Sequence, residues 1–259
     1  AAVSVMLIRA GVSPIATLPI AFLAGALAGM VTGLLNTALG IPGILASILT
    51  QISLYSINLN IMGKANQPVS VDNYPLVVSL RYVTDGSVSR LLFFLGMIVF
   101  LLALIAVMYW YFGTEQGHAI RATGCNSNMA RAQGINTNFI KVLALMISNG
   151  LVGLCGALYG QFQGASDVNM GRGAIVIGLA AVIIGEVLFG KFASKRKLAF
   201  AFTLASVILG AVIYYMVYQF VLWLKMPSED MKLFSAIVVA IFLAIPYLKE
   251  KRTLRKGAS

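Results

Sequence analysis

Residues 91–112 read LLFFLGMIVFLLALIAVMYWYF, and this stretch decides the fold class of the 259-residue chain. It carries no acidic or basic side chain. A helix of about 20 such residues crosses the hydrocarbon core of a bilayer. Lipid offers no partner for unpaired backbone groups, and a helix satisfies those groups internally. The stretch therefore predicts a membrane-spanning helix.

The rest of the chain repeats this pattern. Hydrophobic residues make up 59% of the sequence and charged residues 10%, whereas a soluble domain carries about 25% charged residues. We predict an all-α fold, a polytopic transmembrane helical bundle with about seven complete spans. The predicted spans are Ile15–Leu35, Ile41–Ile61, Leu91–Phe112, Val142–Phe162, Ala174–Gly190, Leu198–Leu224 and Glu229–Leu248.

The N-terminal residues 1–8 are apolar but too few to span a membrane. We interpret them as the end of a span whose beginning precedes this sequence. Residues 1–259 then form a single transmembrane domain with a truncated N-terminus. Cys125 lies in a polar loop and Cys155 in an apolar run, so no disulfide is expected. His118 is the single histidine, and no metal site is expected.

The basic residues predict the orientation. The net charge is +11. Every second loop is positive, beginning with the loop after the third span and ending with the C-terminal tail. Positive loops remain in the cytoplasm. The C-terminus, the loop 113–141 and Lys195 are therefore predicted to be cytoplasmic, and Asp72 external. Because the positive charge of the chain serves to orient its spans, no nucleic-acid partner is expected.

Small and polar residues mark two of the spans. Gly25, Gly29 and Gly33 recur at intervals of four, which predicts close helix packing. Ser47, Gln51, Tyr55 and Asn58 share one face of the next span. Polar groups at membrane depth need partners or water. This face either lines a substrate path or bonds to neighbouring helices, and the sequence favours neither.

Charged residues near the fifth span form a further candidate set. Asp167 and Arg172 flank a break in the chain that is either a plain outer turn or a re-entrant segment. Glu186 is the acid inside a span, and it either pairs with a basic group near the cytoplasmic surface or acts in gating. These three residues are a candidate gating or ion-pair set.

No catalytic residues are predicted. GEVLFGK at Gly185–Lys191 matches part of a phosphate-binding loop, but Phe192 follows it where a magnesium-binding Ser or Thr is required. The chain is therefore not expected to be an enzyme or to bind a cofactor itself.

The loop after the third span is the most specific motif. Arg121–Asn136 reads RATGCNSNMARAQGIN. Asn126 or Ser127 can cap a short helix, and Gly134 can end it. Met129 and Ile135 provide apolar side chains for a partner's groove.

Arg121–Ile135 resembles the coupling segment of ATP-driven importer permeases of the branched-chain amino acid and ribose family, and we call it the coupling segment. The pattern of that family is matched by Arg121, Ala122, Gly124, Asn126, Ala130, Arg131, Gly134 and Ile135. The segments Gly150–Gly160 and Gly178–Glu186 are also similar to the family. Cys125, Ser127, Asn128, Met129 and Glu186 depart from its usual residues. These departures place the chain in a side branch of the family. Residues 25–59 resemble permeases of amino-acid, including aromatic amino-acid, uptake systems.

The resemblance implies a set of partners and a location. Two permease chains, often identical, would pair in the inner membrane of a bacterium. Two ATPase subunits would bind ATP and magnesium and dock on the cytoplasmic loops. An external binding protein would deliver the substrate. An ion-gradient-driven transporter, a membrane enzyme and a channel are the alternatives, and ATP-dependent uptake with a binding protein would exclude all three.

Overall fold

The computed structural model describes residues 1–69, 74, 76–79, 87–171, 174–193, 199–223 and 240. Two compact units are present, Ala1–Leu102 with Trp110–Met170 and Ala103–Tyr109 with Gly171–Ser259. The elements described are α1 (Ala2–Arg9), α2 (Pro14–Thr37), α3 (Gly43–Met62), β1 (Asn66–Pro68), α4 (Ser87–Phe112), α5 (Glu115–Cys125), α6 (Ser127–Ala132), α7 (Thr137–Gln163), β2 (Ala165–Asp167), α8 (Ala174–Ala193) and α9 (Ala199–Trp223).

The first unit is organised around an antiparallel crossing of α2 and α7. A Cβ on Gly29 would overlap the carbonyl oxygen of Leu145 and would lie 2.9 Å from Asn149 Cβ. A Cβ on Gly33 would lie 2.9 Å from Val142 Cα. From the other helix, a Cβ on Gly153 would overlap a carbonyl oxygen of α2. The two backbones therefore touch, which only residues without side chains permit.

The short helix α1 is buried against this pair. Val5 and Ile8 are fully buried, and they form an apolar cluster with Val69 and Leu76 from the loop after α3. Helix α1 is separate from α2, because Gly11 adopts a φ of 92° and Pro14 begins α2. That residues 1–8 are the end of a longer span stays a prediction.

A two-stranded ribbon joins the ends of α3 and α7. Strand β1 pairs antiparallel with β2, and Gln67 lies opposite Ser166. The backbone amide of Val69 donates to the Gly164 carbonyl at 2.7 Å. The all-helical prediction missed this ribbon because three-residue strands carry no periodicity that a sequence can show. Asp167 is the last residue of β2, and residues 168–171 after it form turns. Whether residues 167–173 are an outer turn or a re-entrant segment stays open.

The predicted spans agree with the described helices as far as these extend. Five helices are long and apolar enough to cross a membrane in the described part of the chain, and Ile177–Phe189 is a shorter apolar stretch. Helix α7 begins at Thr137, five residues before Val142, the predicted first residue of this span. It begins there because Asn136 caps it. Apart from residue 240, the predicted span Glu229–Leu248 lies outside the described residues, as do both markers of orientation, Asp72 and Lys195.

The second unit contains a close pair of helices, α8 and α9. A Cβ on Gly185 would overlap the Ser206 carbonyl oxygen, and a Cβ on Gly210 would overlap that of Ala181. Ile184 and Tyr214 form the buried cluster of this pair. The glycine at the interface of each helix again sets the approach distance.

Candidate functional site

The polar stripe, defined as Ser47, Gln51, Tyr55 and Asn58, lies on one side of α3. Ser47, Gln51 and Tyr55 are exposed in the single chain, and Asn58 is half-buried. Ser47 Oγ donates to carbonyls of its own helix, those of Gly43 and Ile44. The stripe therefore presents amide and phenol groups on an open surface of an apolar helix.

A different edge of α3 packs against α2. Ala46 is fully buried, and Thr50 is 8% exposed. The hydroxyl of Thr32 on α2 donates to Thr50 Oγ1 at 2.9 Å, and Thr50 Oγ1 donates to the Ala46 carbonyl at 2.9 Å. These bonds satisfy the polar groups at this contact internally. The polar stripe on the neighbouring edge is thus not needed to hold α3 to α2.

Two capped helices form the connection between α4 and α7. Thr114 is the N-cap of α5, its hydroxyl accepting from the Gly117 amide at 3.4 Å, and Glu115 occupies the first turn. An acid there is favourable because the helix N-terminus carries partial positive charge. The sequence predicted one short helix here. It missed α5, although Thr114 followed by Glu115 is a recognisable start signal.

The second helix of this connection begins at Asn126, one of the two cap residues that the sequence proposed. Asn126 Oδ1 accepts from the amides of Asn128 at 3.1 Å and Met129 at 3.0 Å. Gly134 ends the turn with a φ of 83°, a conformation that suits glycine. Asn136 then caps α7 by accepting from the Phe139 amide at 3.2 Å. The connection is a folded element with defined ends.

The coupling segment contains both exposed and buried residues. Met129 is 64% exposed, whereas Ala130 is 4% exposed and Ile135 is half-buried. The Arg131 guanidinium donates to Thr137 Oγ1 at 3.1 Å and so ties α6 to α7. Ala130 and Arg131 hold the segment together, and Met129 is its exposed large apolar side chain. Arg121, Ala122 and Gly124 are exposed on α5.

The candidate gating set is only partly described. Asp167 Oδ1 accepts from the Asn169 amide at 2.6 Å, which stabilises the turn after β2. Glu186 is exposed on α8 beside the buried Gly185. Arg172 lies outside the described residues, so its pairing stays a prediction.

A buried polar cluster near the ribbon was missed by the sequence analysis. Gln161 is 1% exposed; its Nε2 donates to the Pro14 carbonyl at 3.2 Å and its Oε1 accepts from the Val77 amide at 3.1 Å. Ser4 and Thr17 share a hydrogen bond of 2.9 Å beside it. A glutamine within an apolar run was the available signal, since polar groups at such depth need partners.

The helices and the folded connection define a multi-span helical membrane protein. A family model, the branched-chain amino acid transport system permease component, matches residues 1–246. The chain is 40% identical over 234 residues to the tyrosine transport system permease protein of Clostridioides difficile (strain R20291), covering 90% of this chain and 74% of that protein.

Two further relatives are more distant. The inner membrane ABC transporter permease protein YjfF of Escherichia coli (strain K12) is 25% identical over 178 residues, 69% of this chain and 53% of that protein. The autoinducer 2 import system permease protein LsrC of Yersinia pseudotuberculosis (serotype O:3, strain YPIII) is 28% identical over 226 residues, 86% of this chain and 59% of that protein. No solved structure matches.

The chain therefore belongs to the branched-chain amino acid type of ABC importer permeases. It is the membrane-spanning subunit of an importer. The family implies an ATPase and a binding protein as partners, and a location in a bacterial inner membrane.

Proposed function

We propose that this chain forms the membrane path of an importer for an amino acid, with an aromatic amino acid as the favoured substrate. A binding protein delivers the solute from outside, and a second copy of this chain completes the path. ATP and magnesium bind to separate ATPase subunits, which dock at the coupling segment. The name of the tyrosine-system relative supports the substrate class.

The observation that carries this proposal is the open polar stripe on α3. Its side chains are neutral hydrogen-bonding groups, and they are at least partly exposed in the single chain. Hydrocarbon gives such groups no partner, so they face water, a solute or protein in the assembly. Neutral amides and hydroxyls can exchange hydrogen bonds with a zwitterion as it passes. A fixed charge at this depth would instead hold the solute and slow its release.

Removing the amide of Gln51 tests the role of the stripe. We expect Gln51→Leu to reduce ATP-dependent tyrosine uptake at least fivefold while the assembled complex keeps its yield. A hydrogen bond of this kind contributes about 1 kcal/mol, which corresponds to a factor of about five. Ser53→Leu is the matched control, because Ser53 is exposed on α3 but lies off the stripe. If Gln51→Leu stops assembly instead, the stripe is a structural contact.

The proposed orientation has its own test. Lys64 is exposed near the ribbon, and Asn128 is exposed on α6. In a parent with Cys125 and Cys155 replaced, a cysteine at position 64 should react with an impermeant maleimide from outside. One at position 128 should react only after the membrane is opened. Equal labelling of both from one side would contradict the topology.

Substrate selectivity is tested separately from the role as permease. With its ATPase and binding protein in proteoliposomes, the chain should import radiolabelled tyrosine when ATP is enclosed on the ATPase side. Excess phenylalanine or tryptophan should compete more strongly than leucine. Uptake that continues without ATP would contradict the importer mechanism, whereas stronger competition by leucine would change the substrate class alone.

A further inference from the structure

Helix α3 is attached to its neighbours in two different ways at its two ends. At the ribbon end, Met62 is 1% exposed, and its carbonyl accepts from Gln67 Nε2 at 2.5 Å. Gln67 Oε1 in turn accepts from the Arg9 guanidinium. Strand β1 then pairs with β2, which follows α7 directly. The end of α3 is thus bonded to α1 and, through the ribbon, to α7.

The cluster beneath the ribbon strengthens this attachment. Gln161 links α7 to the start of α2 and to Val77 in the loop after β1. The Tyr74 hydroxyl donates to the Arg9 carbonyl at 3.4 Å, and Val69 packs on α1. Breaking one buried hydrogen bond leaves an unsatisfied group at a cost of about 1–3 kcal/mol. Several such bonds must break together before this end can separate.

The other half of α3 has a much weaker attachment. Along its length, its contact with α2 rests on the small residue Ala46 and on the bond between Thr32 and Thr50. The turn before α3 is held to the end of α2 by Asn36 Nδ2, which donates to the Ile41 carbonyl at 2.8 Å. Ile44, at the start of α3, is 81% exposed. Gly40, in the turn before α3, has a φ of 68° and nothing within 4 Å of where its Cβ would lie. This contact has no counterpart to the interlocked glycines of α2 and α7.

We infer that the ribbon is a fixed pivot and that α3 tilts about it, releasing the Thr32–Thr50 contact during transport. A rise of about 1.5 Å per residue puts Thr50 about 18 Å from Met62. A tilt of about 10° then moves Thr50 by about 3 Å, enough to break its bond to Thr32. The same tilt hardly moves the ribbon. Because the polar stripe is on α3, the tilt changes how much of the stripe is exposed to the solute path.

The inference rests on the proposed function, since the motion matters only if α3 lines the path. Two engineered disulfides in a parent lacking Cys125 and Cys155 separate the two ends. Thr32→Cys with Thr50→Cys replaces two hydroxyls 2.9 Å apart. Pro68→Cys with Ala165→Cys uses a cross-strand pair of the ribbon. These residues are next to each other without exchanging backbone hydrogen bonds, where side chains come closest.

Oxidation of the 32/50 pair is expected to reduce tyrosine uptake at least tenfold, and reductant should restore it. Oxidation of the 68/165 pair should leave uptake within twofold of the parent. The reduced double mutants and the four single mutants control for folding. Loss of uptake in the oxidised 68/165 pair, or retained uptake in the oxidised 32/50 pair, would overturn the pivot.

A second measurement does not depend on the choice of solute. The rate of cross-linking is compared between the nucleotide-free complex and the complex trapped with ATP and vanadate. The 32/50 rate should change at least fivefold between these states, and the 68/165 rate should not change. If neither rate changes, α3 does not tilt and the inference fails. If the parent takes up no tyrosine while the 32/50 rate still changes, the proposed substrate fails and the pivot stands.

Discussion

Replacing Gly29 with leucine is expected to prevent α2 and α7 from packing and so to remove most of the folded protein from the membrane. A Cβ alone at this position would overlap the Leu145 carbonyl oxygen. The obstacle is backbone in the middle of a long helix, which cannot turn aside as a side chain can. Overpacking of a tight core costs about 1–3 kcal/mol and sometimes more, and leucine adds three carbons beyond the Cβ. The expected loss is at least tenfold in the yield of monodisperse protein after solubilisation.

Two further variants make this result specific. Gly29→Ala should give an intermediate yield and a lower melting temperature, because only the Cβ intrudes. Gly96→Leu in α4 is the matched control, since nothing lies within 4 Å of where a Cβ on Gly96 would be. A Gly29→Leu protein with the yield and melting temperature of the parent would show that α2 and α7 separate without cost.

Replacing Met129 with glutamate is expected to weaken ATPase binding at least tenfold and to uncouple ATP hydrolysis from uptake. Met129 is 64% exposed on a capped helix, and it is the exposed large apolar side chain of the coupling segment. Placing an unpaired charge in an apolar groove leaves it desolvated. A tenfold change corresponds to about 1.4 kcal/mol, within the range found when central interface residues are removed. Binding is measured by co-purification and by titration of the ATPase onto the reconstituted permease.

The choice of Met129 follows from the structure. Ala130 matches the family pattern and Met129 departs from it, but Ala130 is only 4% exposed. A glutamate at position 130 would disrupt α6 itself, and the result would not report on docking. Gln116→Glu is the matched control, because it adds the same charge at an exposed position in the first turn of α5. Equal ATPase binding by Met129→Glu, Gln116→Glu and the parent would contradict docking at this segment.

The folded connection shows how far sequence reasoning extends at one site. The cap at Asn126 and the end at Gly134 could be predicted because both depend on local backbone chemistry. The division of the segment into buried and exposed residues could not. Ala130 is buried and Met129 exposed because α6 lies against α5 and α7, and the bond from Arg131 to Thr137 fixes that arrangement.

The polar groups show the same limit. Ser47, Gln51, Tyr55 and Asn58 could be placed on one face from their spacing alone, since the period of a helix is fixed. Whether that face was open or bonded depended on the position of α2. The structure uses Thr50 for the contact with α2 and leaves the stripe outside it.

The sequence by itself determined the class of protein, the approximate limits of most long helices and the cap residues of the coupling segment. These features depend on apolar length and on local backbone chemistry, which act over a few helical turns. Tertiary structure decided which residues meet. It placed Gly29 on the Leu145 carbonyl, Gln161 between Pro14 and Val77, and the strand at Gln67 beside Ser166. Each of these contacts joins residues far apart in the chain, and their partners depend on how the helices cross rather than on the local sequence.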